Sequence, residues 1–117
     1  RVRVVGMHLD LSGLRRRQQV LTILTDLERC GPPCPTVLTG DFNEWSVRGG
    51  ALHEFHAPWR VLAPGRSFPS RRPVTQLDRI VISPEWVPTE TAVHHSALAA
   101  RASDHLPVFA HLMLPEK

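Results

Sequence analysis

Along the chain, apolar positions first alternate with polar ones, then recur at helical spacing, then run together. That order predicts a strand, a helix and a second strand. Val2 to Met7 alternate weakly and read as a strand that delivers His8 at its end. Val20, Ile23, Leu24 and Leu27 then recur with Arg, Gln, Thr and Asp between them, the mark of an amphipathic helix over 12–30, with Ser12 as its N-cap. The helix stops at Cys30, because Gly31 takes a left-handed cap and Pro32-Pro33 cannot continue the hydrogen-bond ladder. Thr36-Val37-Leu38-Thr39 is a β-branched, apolar run that reads as a buried strand, and Gly40 lets the backbone turn out of it without a Cβ penalty.

Further on, Ala51 to His56 reads as a short helix and Trp59 to Leu62 as a short strand. Pro, Gly, Arg and Ser then dominate a long loop from Ala63 to Pro73. Leu77 to Ser83 alternate so that Asp78, Ile80 and Ile82 share one face of a strand. A carboxylate beside two isoleucines belongs at the strand's end or needs a partner, since an unpaired buried carboxylate is costly, and His105 is the partner expected. Trp86 to His95 and Leu106 to Leu114 are the last strands, and Pro107 is tolerable near the start of the second. The expected architecture is α/β, with the 12–30 helix packed on a sheet containing 2–7, 36–39, 77–82 and 107–114.

Size and charge narrow this picture. The 117 residues, 42% of them hydrophobic, suffice for one core and not for two ordinary domains, so 1–117 is one domain or part of one. No initiating Met, signal peptide or membrane-length apolar run is visible, and localisation stays open. The formal net charge is +3, and Lys117 is the sole lysine. Arginine's planar fork suits phosphate. Arg15-Arg16-Arg17 falls on the polar face of the helix and reads as solvated, whereas Arg66, Arg71 and Arg72 occupy an irregular loop suited to substrate contact. Cys30 and Cys34 form no disulfide framework and, without a second pair, no zinc site. His53 and His56 lack further ligands nearby and read as exposed.

The candidate chemistry begins at Gly40-Asp41-Phe42-Asn43-Glu44-Trp45, where a carboxylate and an amide two positions apart leave the chain at the rim of a sheet. Alone, the pair is equally well explained by local turn bonds. Three other segments change the weighting: Met7-His8-Leu9-Asp10, Leu77-Asp78-Arg79-Ile80 and Ser103-Asp104-His105-Leu106-Pro107. In this order and spacing, the four motifs resemble the endonuclease/exonuclease/phosphatase superfamily of metal-dependent phosphoesterases.

The resemblance implies that the chain is the C-terminal half of a DNase I-like four-layer α/β sandwich, whose N-terminal half is the missing partner. It implies a nuclease-like hydrolase that cleaves a phosphoester with an activated water and depends on Mg²⁺, with Mn²⁺ as a substitute. By the same resemblance, Asp41 orients and deprotonates the water, Asn43 donates to a phosphoryl oxygen, and His8 reaches the scissile phosphate. Asp104 is a metal-side carboxylate, and His105 contacts the phosphoryl group with Asp78 fixing its tautomer. Arg16 and Gln19 match a family stretch taken as structural. The family's early Asn, its main metal-ligand Glu and the acidic holder of His8 lie outside this chain, so the chain alone is expected to bind Mg²⁺ poorly, hydrolyse little and expose apolar sheet surface. The alternative is a silent or incomplete half-domain that serves as a binding or assembly module. For substrate, the arginine loop with Trp45 or Trp59 for stacking suits nucleic acid. A lipid or small phosphoester stays equally open.

Overall fold

The computed structural model describes residues 1–46 and 50–115. Helix α1 (Gly13–Arg29) begins where expected. The Ser12 side chain accepts from the Arg15 N–H, and the Ser12 carbonyl accepts from the Arg16 N–H. It ends at Cys30, and Gly31 follows at φ 92°. Strands β1 (Arg3–His8) and β2 (Thr36–Asp41) flank the helix in sequence and pair in parallel, so α1 is the crossover of a strand-helix-strand unit. Its Val20 is fully buried and packs with Leu38 and Phe42, while Val5, Met7, Ile23, Leu24 and Leu27 surround them. On β1, Val4 remains 68% exposed.

Strands β3 (Arg60–Leu62) and β4 (Asp78–Ile82) complete a four-stranded sheet in the order β1-β2-β4-β3, with β4 antiparallel to both neighbours. The short helix expected over Ala51 to His56 is a 3-10 helix over Gly50–Glu54. Strands β5 (Val87–Val93) and β6 (Val108–Met113) form a separate two-stranded antiparallel sheet. The placement of 107–114 in the main sheet is therefore corrected: both edges of β4 are taken, by β2 and β3, and β6 finds its hydrogen-bonding partner in β5. Between them lies helix α2 (Ala97–Ala102), capped by Ser96, which the sequence reading missed. Six residues that are mostly alanine carry too little apolar periodicity to be seen.

Gly40 also plays a different part from the one expected. It lies inside β2, paired with Met7, at φ 148°. A Cβ there would sit 1.8 Å from the Met7 carbonyl oxygen. Only glycine allows β1 to approach this closely, and the strand continues through Gly40 to Asp41.

Candidate active site

Strand direction explains why the polar residues meet. Because β1 and β2 are parallel, His8 and Asp41 end side by side, in register. Because β4 is antiparallel to β2, it begins where β2 ends, and Asp78 pairs with Asp41. His105 arrives from the loop between α2 and β6. That loop is fixed by bonds from the His105 N–H to Ser103 Oγ at 3.2 Å and from the Leu106 N–H to the Ser67 carbonyl at 2.8 Å. The result is a cleft of about 700 Å³ lined by His8, Asp41, Asn43, Asp78, Asp104 and His105, among others.

Within the cleft the side chains form a chain of contacts. Ser67 Oγ–H donates to Asp78 Oδ2 at 2.5 Å, and the same oxygen lies 2.8 Å from His105 Nδ1. The other ring nitrogen, Nε2, is 3.4 Å from Asp41 Oδ2, and His8 Nε2 approaches that oxygen to 3.5 Å. Asp41 Oδ1 meanwhile accepts from the Asn43 N–H at 2.8 Å. Asn43 holds φ 50°, a left-handed turn that Asn tolerates, and its Nδ2 donates to the Leu9 carbonyl at 2.6 Å. One amide hydrogen thus ties the Asn43 turn to the segment after β1 and leaves the second for another acceptor.

Electrostatics favours a charged His105. Burial lowers the pKa of its ring, but the hydrogen bond to Asp78 and the charges of Asp78, Asp41 and Asp104 outweigh that, and the net shift is upward. Phe68 packs at 4.8 Å between ring centroids and limits the ring's freedom. Asp41, Asp78 and His105 also bring ligand atoms within 4.8 Å of one another, close enough for a shared metal ion. A ligating imidazole must be unprotonated, however, and the Asp78 oxygen is already shared by two hydrogen bonds. The three side chains lie in one line of contacts, with His105 bonded to Asp78 at 2.8 Å and 3.4 Å from Asp41. A hard divalent ion prefers carboxylate oxygens and keeps most of its water, and Asp104 is a further exposed carboxylate at the same cleft.

Compared with known proteins, residues 3–105 match the model of the Endonuclease/Exonuclease/phosphatase family. The chain belongs to this family. Among curated relatives, the uncharacterized protein YbhP of Escherichia coli (strain K12) is 30% identical over 129 residues, covering 97% of this chain and 47% of that protein. The chain thus spans about half the length of the curated relatives it matches. A functionally unknown conserved protein from Enterococcus faecalis V583 superposes with a TM-score of 0.81 at 26% identity, covering 96% of this chain and 50% of that one. The mannosyl-6-phosphatase Bt3783 of Bacteroides thetaiotaomicron VPI-5482 superposes at 0.73 with 20% identity, covering 95% and 51%. What this chain carries is about half of the family's DNase I-like α/β sandwich, a phosphoesterase fold.

The six residues named from the motifs line a single cleft. The arginines do not: Arg66 lines a separate pocket with His95, Arg71 lines another with Arg101 and Asp104, and Arg72 is exposed on the same turn as Arg71. Sequence reasoning missed three residues. Ser67 falls in the Pro-, Gly-, Arg- and Ser-rich stretch that reads as a loop, yet it is fully buried against Asp78. Glu44 was passed over as a loop residue, yet it is 5% exposed and accepts from the N–H groups of Ser46 and Ala51. Arg79, 1% exposed, donates to the Gln76 carbonyl. Burial lowers its pKa, against the pull of the Asp78 and Glu44 carboxylates.

Proposed function

We propose that the protein hydrolyses phosphoester bonds with a water molecule activated at Asp41. The observation that carries this reading is the contact chain from Ser67 through Asp78 and His105 to Asp41, which opens on the cleft. Asp41 Oδ2 is the oxygen positioned to take a proton from the water, since Oδ1 is held by the Asn43 N–H. His105, held charged by Asp78, donates from Nε2 to a phosphoryl oxygen, and the second amide hydrogen of Asn43 does the same. His8, its side chain 77% exposed, reaches the phosphate from the opposite wall. Asp104 would hold Mg²⁺ or Mn²⁺, which when bound offsets phosphoryl charge. Arg66, Arg71 and Arg72 would meet a longer substrate beyond the cleft, as a nucleic acid strand requires. A lipid or sugar phosphate would engage the cleft alone.

The test is turnover by the full-length protein of a phosphodiester and phosphomonoester panel with Mg²⁺ or Mn²⁺, then with EDTA. Metal-dependent hydrolysis is expected. Absence of turnover on every member, or turnover indifferent to EDTA, would reject the reading. It would favour a binding or assembly module.

A further inference from the structure

Two of the segments that line the cleft are residues 9–11 after β1 and the turn after β2 that presents Asn43. Arg16, on the first turns of α1 and only 9% exposed, bonds both. Its Nη1 donates to the Leu11 carbonyl at 2.7 Å and lies 3.4 Å from that of Asp10, while Nη2 meets Glu44 Oε2 at 3.5 Å. Gln19, one turn along, accepts the Asp10 N–H on Oε1 at 2.9 Å. Glu44 gathers its own loop through the Ala51 N–H at 2.8 Å, and a Cβ at Gly50 would collide with Oε1 at 1.9 Å.

We infer that Arg16 is a positioning residue for catalysis: paired with Glu44, it fixes the His8 wall against the Asp41–Asn43 wall. Stability alone does not account for the pair. A buried ion pair is commonly replaceable by apolar residues without loss, and the Arg16 Nε is buried with no partner among the described residues. What apolar residues cannot supply is a planar fork that donates to a carbonyl on one wall and a carboxylate on the other. Lysine keeps the charge and three donors, but they radiate from one nitrogen on a flexible stem and lack the two separated nitrogens with which the fork spans both partners.

The inference rests on the phosphoesterase reading, and its test separates the two. In the full-length protein, Arg16→Lys and the charge-neutral double variant Arg16→Met/Glu44→Gln are compared with wild type by hydrogen exchange and by turnover of bis-p-nitrophenyl phosphate with Mg²⁺. The double variant removes both charges of the pair at once, and Asp78 still faces Arg79, which guards against simple unfolding. Amide protection at Asp10 and Ala51 should fall together while Val5 and Leu38 keep theirs. The kcat should drop on the order of ten- to a hundredfold, the scale of a slightly misplaced constellation, with KM nearly unchanged. Unchanged kcat in both variants, or loss of protection on one wall only, overturns the positioning role. A wild type inactive on this diester and on every other phosphodiester and phosphomonoester of the panel overturns the phosphoesterase reading, and exchange then still decides whether Arg16 couples the two loops.

Discussion

His105 Nδ1 lies 2.8 Å from Asp78 Oδ2, an oxygen that also accepts the Ser67 hydroxyl. With that nitrogen engaged, the other, Nε2, is the one presented to the cleft beside Asp41. The carboxylate therefore sets both the orientation of the ring and its charge.

The first expectation concerns titration of that ring. The His105 pKa is raised above its ordinary 6.5 because Asp78, Asp41 and Asp104 outweigh burial. A raised histidine contributes stability that is fully present below the ordinary value and is lost as pH rises through the raised folded value. In metal-free buffer, an NMR titration should place the His105 midpoint above 6.5, and Asp78→Asn should lower it. A midpoint unmoved by Asp78→Asn would show that the pair does not set the charge.

Ser67→Ala tests the outer end of the same contact chain. Ser67 is fully buried, and the substitution leaves one bond fewer on a partly buried carboxylate, which costs about 1–3 kcal/mol. Urea unfolding should read that loss, and kcat should fall about tenfold through a looser Asp78. Wild-type kcat in a destabilised variant would confine Ser67 to the fold.

Much of this was legible in the sequence because strand endings and motifs coincide. The 3.6-residue periodicity of α1, its Ser12 cap and its Gly31-Pro32 stop were all local signals. Asp78 at the start of β4, with His105 as its partner, followed from the cost of a lone carboxylate among isoleucines. What escaped depends on long-range pairing or on burial of polar groups. That β6 would pair with β5 is not encoded in its own alternation. Arg16 sits in a run of three arginines that reads as solvated, and only the approach of Glu44 from 28 residues away makes it a buried ion pair.

Gly40→Ala should be among the most damaging single substitutions in the sheet. The new methyl carbon would lie 1.8 Å from the Met7 carbonyl oxygen, and that oxygen is backbone, which cannot swing aside. The positive φ adds strain of about 1–3 kcal/mol on top of the clash. A loss above about 4 kcal/mol by urea unfolding, or no folded protein at all, is expected. A loss below about 1 kcal/mol would mean that β1 moves away from β2 easily.

Asp41→Ala and His105→Ala probe the centre of the cleft. Their side chains lie 3.4 Å apart and are assigned different tasks on one reacting phosphoryl group, proton removal and charge stabilisation. In the full-length protein each substitution should lower kcat roughly a hundredfold or more, the scale for losing a general base or a transition-state donor. The double variant should be little worse than either single one, because residues that act as a unit are strongly non-additive. KM should change far less, since neither group is asked to supply uniform affinity for the substrate. The two side chains are partly exposed at the cleft, so the fold should survive both changes, and thermal unfolding of each variant checks that. Full multiplication of the two losses would show that Asp41 and His105 act on separate steps, and an Asp41→Ala variant with wild-type kcat would remove Asp41 from the role of base.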